Sequence, residues 1–356
     1  MTDNNEQLNP VILQQPWIPL LLADPSPLLR RLILRELLGR PESDTEIGEL
    51  SQMIPDDSLV KDLRALQKPD GSWQTVPGFG SRGSIHTTSL VLSRLGYVGL
   101  DHTDRMVSAG ADYLFATQNR DGSWPLTSGC TDDSSREHYD MMPLQTAFPL
   151  RALSFCGFAE YDRCELAYDW LLDQRLPDGT WPTGISGGSF GHVAGYRKIP
   201  HSRLGCRSNT TAALSCLAIH PRRKRETYST RALDLLLGRE TREQSAVGWE
   251  VAKLLGIEPC SGYLTYFAKF DSAMILDLCW RIGADGDDPR VRDFIEFIRS
   301  LRGRFGLWTY GSKPSVSRWV TFDILRSLSR ISRSTDWISH EPRTPFRAYD
   351  PIFRRH

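Results

Sequence analysis

Residues 118–124, QNRDGSW, combine a glutamine, a glycine turn and a tryptophan, and near copies of this stretch recur along the chain. In each copy the residues before the turn have helical periodicity, and the glycine then ends the helix. The same spacing of helix, glycine and tryptophan recurs four times, which indicates a structural repeat. The other copies are QKPDGSW at 67–73, QRLPDGTW at 174–181 and RGRFGLW at 302–308.

A second helical stretch follows each turn after a loop, and it is more continuously apolar than the first. Helices that are apolar on most faces are buried between other elements. These stretches are therefore predicted to form an inner layer, with the turn-bearing helices outside it. Their sequences are IHTTSLVLSRLG, MPLQTAFPLRALSFCG, NTTAALSCLAI and VTFDILRSLSRI.

The spacing of the tryptophans indicates one more repeat. Successive turn tryptophans are 51, 57 and 127 residues apart, and the last spacing is about twice the others. A degenerate copy is therefore predicted between Trp181 and Trp308. Its predicted parts are an outer helix at 229–240, an inner helix at 270–283 and a weak echo of the turn, QSAVGW, at 244–249.

Six inner helices are predicted once SPLLRRLILRELLG at 26–39 is included. Such hairpins bury their apolar faces only by stacking on neighbours, and six of them can close into a ring. The predicted fold is all-α, an α/α toroid (an α6/α6 barrel) of about six helical hairpins. We expect a single domain over 1–356, with an N-terminal segment 1–25 and a C-terminal strap 335–356 packed on the ring.

The recurring Q-x(3)-G-x-W turns resemble the QW motifs of the terpenoid cyclase and protein prenyltransferase superfamily, over roughly residues 56–331. The resemblance implies an α/α toroid and favours an enzyme acting on an isoprenoid or similar apolar substrate with an anionic headgroup. Two alternatives stay open. One is a non-catalytic toroid that binds a lipid, peptide or glycan, and the other is a carbohydrate-active (α/α)6 enzyme with two carboxylates facing each other across the cavity.

In this topology the turns and the loops after them emerge on one rim, where the inner helices begin. We expect one axial cavity, open at that rim. Residues 195–209, GYRKIPHSRLGCRSN, would hold the headgroup, although solvated arginines paired with carboxylates are the alternative. Aromatic residues would line the pocket or simply fill the core. The substrate-binding candidates are Arg197, Lys198, Arg203, Arg207, Asn209, Tyr263, Tyr266, Phe270 and Trp280.

Cysteines and histidines also concentrate in the rim loops. Three or four converging soft ligands make a zinc site, and Cys130, His201 and Cys206 are the candidates. Asp132 and Asp133 resemble the acidic motifs that hold Mg²⁺ against diphosphate in prenyl-processing enzymes, and hard carboxylates suit that ion. Zinc and magnesium are thus the candidate cofactors, and an ordinary solvated loop is the alternative. The Asp-x-Cys zinc motif of protein prenyltransferases is reduced here to its cysteine.

The usual acid motif of squalene–hopene-type cyclases is displaced in this sequence. Residues 285–288 read D-G-D-D, but they precede Pro289 at the start of an outer helix, where acids cap an N-terminus. At an inner-helix start Asn209 stands where the acid is expected. The remaining catalytic candidates are Asp271 and Asp140, each alternatively an N-cap, with Cys206 and His201.

Composition narrows the classes of partner. Lys+Arg and Asp+Glu both number 43, so no net charge favours nucleic acid, and the basic run at 222–225 is predicted to be a solvated loop. The polar first residues predict no signal peptide, and the apolar runs are expected to be too short to span a bilayer. The seven cysteines are an odd number and widely spaced, which predicts reduced thiols in the cytoplasm. Residues 17–38 could make a peripheral membrane contact, with core packing as the alternative.

Overall fold

The computed structural model describes residues 17–79, 83–125, 142–183, 185–186, 189–190, 199, 202–238, 246–260, 266–267, 269–311, 313–333 and 335–337. Within these ranges the chain forms fourteen α-helices and a short antiparallel pair, Ile185–Ser186 with Ser189–Phe190. The helices are α1 Ile18–Leu22, α2 Pro27–Leu32 with a π-helical turn Ile33–Leu37, α3 Thr45–Met53, α4 Ser58–Leu66, α5 Ser84–Tyr97, α6 Arg105–Ala116, α7 Pro143–Phe155, α8 Asp162–Asp173, α9 Arg207–Leu217, α10 Thr227–Leu237, α11 Trp249–Leu254, α12 Ser272–Ile282, α13 Pro289–Ser300 and α14 Pro314–Arg330.

The inner layer consists of α2, α5, α7, α9, α12 and α14. Almost every residue of α5, α7 and α9 is buried, as their continuous apolar character predicts. Along the ring α5 contacts α7, α7 contacts α9, α12 contacts α14, and α14 contacts the π-helical turn after α2. Tyr97 at the end of α5 lies 5.9 Å from Trp319 of α14, ring centre to ring centre, and α10 contacts both α9 and α12 on the other side of the ring. The predicted all-α, α/α toroid is confirmed.

The turn after α6 shows how a regular repeat is fastened. The indole N–H of Trp124 donates to the carbonyl oxygen of Leu114 at 2.8 Å, which ties the turn to its own outer helix. The backbone N–H of Trp124 donates to Thr146 Oγ1 of the following inner helix at 3.2 Å. The side-chain amide of Gln118 donates to the carbonyl oxygen of Arg163 on the next outer helix at 2.9 Å. The motif therefore joins three helices.

Three other turns repeat the tryptophan bonds. In each, the indole donates to a carbonyl ten residues earlier, and the backbone N–H donates to an inner-helix threonine. The pairs are Trp73 with Leu63 and Thr88, Trp181 with Leu171 and Thr210, and Trp308 with Ile298 and Thr321.

The glycine in these turns is required by close approach to the next repeat. Gly122 has a φ of +93°, and a Cβ atom added there would lie 2.6 Å from the carbonyl oxygen of Leu166 in α8. Any other residue would be strained and would push the neighbouring hairpin away. This explains why glycine recurs at a fixed place before each tryptophan.

The D-G-D-D sequence caps an outer helix. Asp288 is the N-cap of α13, and its side chain accepts a hydrogen bond from the backbone N–H of Arg290 at 2.8 Å. The first residues of the predicted C-terminal strap bond to the same place, because Thr335 N–H donates to Asp285 and the Trp337 indole donates to Asp288. The remainder of the strap, 338–356, lies outside the described residues.

The degenerate repeat between Trp181 and Trp308 departs from the pattern after α10. Residues 246–258, the axial plug, cross the ring where the inner helices begin, with α11 at their centre in contact with α5 and α14. The side chain of Arg94 donates to the carbonyl oxygen of Leu254 at 2.6 Å, and Gly248 lies against Val320. Trp249 therefore begins a helix inside the ring, and the interpretation of 244–249 as an echo of the turn is wrong for this residue.

Candidate functional site

An axial cavity of about 520 Å³ lies between the inner helices. The axial plug contributes Glu250, Val251 and Leu254 to its wall, and the last turns of α5, α7, α12 and α14 supply much of the rest. The exposed lining residues, such as Arg40 and Asp101, lie at the rim where the inner helices end. The expectation that the cavity opens where the inner helices begin is wrong, because the plug crosses that end.

A buried ionic latch holds the plug in place. Glu250 Oε1 accepts hydrogen bonds from Arg151 of α7 at 2.6 Å and from the Tyr266 hydroxyl at 2.9 Å. Lys253 Nζ lies 3.0 Å from Glu250 Oε2. Burial alone would raise the pKa of Glu250, but Lys253 and Arg151 outweigh it and lower the pKa to about 2. Glu250 is therefore ionised at neutral pH, at the floor of the cavity.

Asp271 joins the plug to α12. It is the N-cap of α12, and its Oδ1 accepts from the backbone N–H groups of Gly248 at 2.9 Å and Ala273 at 3.1 Å. Its Oδ2 accepts from the backbone N–H of Glu250 at 2.6 Å. Burial raises the pKa of Asp271, and these backbone donors oppose that rise. Both oxygens are engaged, so the contacts fit the N-cap alternative.

Two further aspartates line the cavity closer to its mouth. Asp323 of α14 is 5% exposed and pairs with the guanidinium of Arg326. The same nitrogen of Arg326 lies 3.6 Å from Asp277 Oδ1 of α12. Asp277 also accepts from the Trp280 indole at 3.0 Å and from Arg281 Nε at 2.7 Å. The two carboxylates thus share one arginine.

Their surroundings drive the two pKa values apart. Burial raises the pKa of Asp323 to about 7, with Arg326 opposing and the charge of Asp277 adding to the rise. Burial would also raise the pKa of Asp277, but Arg281 and Arg326 outweigh it and lower the pKa. A carboxyl group with a raised pKa therefore lies beside one with a lowered pKa. Such a division is typical of acid–base sites.

Sequence reasoning missed this pair, although a signal exists. Asp277 and Asp323 interrupt two of the most apolar stretches of the chain, ILDLCW and VTFDIL. Charged residues are rarely buried unless they are paired or functional. An acid within an inner-helix run is therefore a better indicator of the cavity wall than a cation in a rim loop.

The predicted substrate-binding residues that the structure describes lie mostly away from the cavity. Arg203 is exposed, and Arg207 is buried in the first turn of α9. Asn209 Oδ1 accepts from the backbone N–H of Leu144 at 2.9 Å, which links α9 to α7. Phe270 packs on Phe294 of α13.

Tyr266 and Trp280 lie next to the cavity wall. Tyr266 belongs to the latch around Glu250, and Trp280 holds Asp277. Of all the site candidates within the described ranges, Asp271 alone lines the cavity. The candidates Cys130, Asp132, Asp133, Asp140, Arg197, Lys198, His201 and Tyr263 lie outside the described residues.

The zinc and magnesium sites stay predictions. Cys206, the described member of the zinc set, is buried at the N-cap of α9, and its backbone N–H donates to the carbonyl oxygen of Trp181 at 2.8 Å. Among the residues described, no three His, Cys, Asp or Glu side chains are grouped as metal ligands. Within the same residues no helix has the length and apolar character needed to cross a membrane.

Comparison with known proteins links the chain to cyclases. Residues 45–194 match the family described as Squalene-hopene cyclase C-terminal domain. The squalene–hopene cyclase of Bradyrhizobium diazoefficiens is 30% identical over 138 residues, which cover 38% of this chain and 20% of that protein. The squalene–hopene cyclase of Zymomonas mobilis is 31% identical over 152 residues, covering 41% of this chain and 22% of that protein. The chain thus matches about a fifth of the length of these curated relatives.

Solved structures of similar proteins include the type II terpene cyclase MstE from Scytonema. It is 14% identical, with a TM-score of 0.34, over 79% of this chain and 98% of that chain. The sequence matches to squalene–hopene cyclases agree with the four tryptophan turns and the closed ring of helical hairpins. The matched part of the chain, residues 45–194, is therefore terpenoid cyclase-like in sequence.

Proposed function

We propose that this chain is an enzyme that transfers a proton, inside the axial cavity, to an isoprenoid or similar apolar ligand carrying an anionic headgroup. The observation that carries the proposal is Asp323. Its carboxyl group lies in the wall of a cavity enclosed by inner helices, and burial raises its pKa to about 7. A carboxyl group whose pKa lies near 7 is partly protonated at neutral pH and is suited to act as a general acid.

The cavity has the size of a small-molecule site and an apolar portion of wall, although about half of its lining residues are charged. Its volume of about 520 Å³ falls within the range usual for small-molecule sites. Leu32, Met274 and Leu278 contribute aliphatic surface, and Tyr97 and Phe155 contribute aromatic rings. Aromatic faces attract cations, so they would stabilise positive charge that develops on the ligand.

The chemistry would be a proton transfer from Asp323 to an alkene. The O–H bond of the carboxyl group breaks, a C–H bond forms at one alkene carbon, and the other carbon becomes a cation. Asp323 is left ionised, paired with Arg326. The ionised Asp277 nearby would favour the cation electrostatically. Ring closure ends when the cation loses a proton to a base or takes up water.

The carbohydrate-active alternative is less well supported by the same residues. Hydrolysis of a glycoside needs room for the scissile bond between two carboxyl groups. Arg326 contacts both Asp277 and Asp323. The guanidinium therefore occupies the space where a glycosidic oxygen would lie, and we favour protonation of an apolar ligand.

Product analysis tests the proposal. Purified full-length chain would be incubated with squalene, geranylgeraniol and prenyl diphosphates in D₂O, and cyclised products carrying one deuterium would be sought by mass spectrometry. We expect Asp323→Asn to lower turnover by about 100-fold or more, because a general acid contributes on that scale. Asp112→Asn, on the exposed face of α6, is the matched control and should keep wild-type turnover. Turnover that survives Asp323→Asn, or no labelled product from any of these compounds, would exclude the proposed role.

A further inference from the structure

A second void lies beside the axial cavity, at the end of the ring where α2 and α14 begin. Its volume is about 780 Å³, compared with about 520 Å³ for the cavity itself. Its buried apolar wall is formed by Leu255, at the end of the axial plug, and by Val316 and Trp319 of α14. Met53 and Ile257 lie at its exposed edges. We name the void bounded by these five residues the side groove.

Carboxylates also line the side groove, but none of them is an unpaired buried charge. Asp24 and Asp57 are buried, the first in an ion pair with an arginine of α14 and the second in hydrogen bonds at the start of α4. Glu49 and Asp56 are exposed to solvent. The part of the groove that could receive an apolar chain is therefore the wall beside Trp319.

Two aromatic rings separate the side groove from the axial cavity. Trp319 lines the groove and Tyr97 lines the cavity, and their ring centres are 5.9 Å apart. The axial plug continues this wall, because Leu254 lines the cavity whereas the next residue, Leu255, lines the groove. The two voids are therefore no more than one pair of rings apart at this point. We name Tyr97 and Trp319 the aromatic partition.

The aromatic partition is buried, and Tyr97 belongs to it through its ring. Tyr97 is 7% exposed and Trp319 is 4% exposed. A buried tyrosine usually bonds its hydroxyl group. The Tyr97 hydroxyl has no hydrogen-bond partner among the residues that the structure describes. Polar pairing within these residues therefore does not explain why a tyrosine lies here, and packing of its ring against Trp319 does.

The aromatic partition lies one helical turn from the proposed acid. Trp319 and Asp323 are four residues apart in α14, so their side chains lie on the same face of that helix. Arg330, the last residue of α14, lines the cavity at the mouth. Asp323 thus lies between the mouth and the partition. An apolar chain that enters at the mouth and passes Asp323 meets the partition next.

We propose that the aromatic partition sets the length of the apolar chain that the axial cavity accepts. The inference rests on the proposed function, because it concerns the part of the ligand that extends beyond the alkene at Asp323. In the wild type the chain ends against Tyr97 and Trp319. Removal of the Trp319 ring joins the cavity to the side groove, so a longer chain can be buried along Leu255 and Val316. Tyr97 and Trp319 are thus specificity-determining residues.

Saturated alcohols test the length limit without any chemistry, because they contain no alkene to protonate. Purified full-length chain would be titrated with n-alkanols of increasing length by calorimetry. In the wild type each added methylene should tighten binding about fourfold, as expected for burial of one CH₂ group, until the chain reaches the partition. Beyond that length the affinity should stop rising. In Trp319→Ala the rise should continue to longer alcohols.

Further variants distinguish the wall from a general loss of packing. Trp319→Leu leaves a smaller gap, and it should move the length limit in the same direction if Trp319→Ala is too unstable to purify. Tyr97→Phe removes only the hydroxyl and should not move the limit. Ser315→Trp adds a ring at an exposed position of the side groove, so in the Trp319→Ala background it should move the limit back. Phe305→Ala removes a ring that is 70% exposed and lines neither void, and it should behave as the wild type.

Three results would overturn the inference. They are the absence of alkanol binding, an affinity that keeps rising with length in the wild type, and the same length limit in the wild type, Trp319→Ala and Trp319→Leu. Asp323→Asn separates the inference from the proposed function, since this variant should keep the wild-type length limit. A limit that moves in Trp319→Ala without any proton transfer in the product analysis would refute the enzyme function alone. Proton transfer with an unmoved limit would refute the role of the partition alone.

Discussion

In four repeats of the ring the outer helix ends in a tryptophan turn. In the degenerate repeat between Trp181 and Trp308 the outer helix is followed by the axial plug. In the regular turns a buried tryptophan is held by neutral hydrogen bonds to its own outer helix and to the following inner helix. In the plug the central contact is the charged group of Glu250, Arg151 and Lys253. The regular repeats build the ring, and the irregular one decides at which end the cavity opens. Function is thus expected where the repeat pattern fails.

The hydrogen bonds of the turns and the ion pairs of the plug contribute differently to the free energy of unfolding. A neutral hydrogen bond contributes about 1 kcal/mol net, and each turn adds the burial of one large indole. A buried ion pair contributes little net stability, but removing one partner leaves an uncompensated charge and costs much more. The plug should therefore be more sensitive than any single turn to loss of one side chain.

Neutralising the latch should have the largest effect. Glu250→Gln leaves Arg151 and Lys253 buried without their counter-charge, so the free energy of unfolding should fall by about 3–5 kcal/mol. Urea denaturation followed by circular dichroism measures the change. Glu296→Gln, on the exposed face of α13, is the matched control and should lie within about 0.5 kcal/mol of wild type. A loss below about 1 kcal/mol for Glu250→Gln would mean that the latch does not hold the plug.

The pH dependence of stability should distinguish the cavity acid from the latch. Asp323 has a raised pKa in the folded chain, so the folded state binds the extra proton between about pH 4 and pH 7. Stability from this group is present at low pH and is lost as the pH rises to about 7, by about 1–4 kcal/mol. Asp323→Asn should remove that decrease.

Glu250 should give the opposite slope. Its pKa is lowered to about 2, so its contribution is present above about pH 4.5 and is lost as the pH falls towards 2. Urea midpoints measured at pH steps from 3 to 8, for wild type, Asp323→Asn and Asp112→Asn, test both signs. An identical slope for wild type and Asp323→Asn between pH 4 and 7 would contradict the raised pKa.

The smallest expected effect concerns a regular turn. Thr146→Val keeps the shape of the side chain but leaves the buried N–H of Trp124 without its acceptor, which should cost about 1–3 kcal/mol. Thr88→Val and Thr210→Val should cost similar amounts, because the same bond recurs in their turns. Thermal unfolding measures all three, with Thr227→Val at the exposed start of α10 as the control. Widely different losses at the three sites would show that the turns are not equivalent.

Much of the ring could be predicted because its signals are local. In each turn the glutamine indicates the end of a helix, the glycine a positive φ and the tryptophan a buried indole, all within a few residues. The apolar runs that became α5, α7 and α9 report burial in the same way. The candidate site fared differently. Asn209 and Arg207 lie in a segment rich in cations, yet the structure places them in the buried first turn of α9, away from the cavity.

The sequence by itself determined the repeat, the inner and outer layers and the closed all-α ring, since each depends on periodicity and on turn chemistry within one hairpin. Only the tertiary structure decided which end of the ring is crossed by the plug, and that Asp277 and Asp323 meet on one arginine. Those features depend on charges that are far apart in the chain and become neighbours only when the ring closes. Their pKa values follow from burial and proximity, which no local pattern encodes.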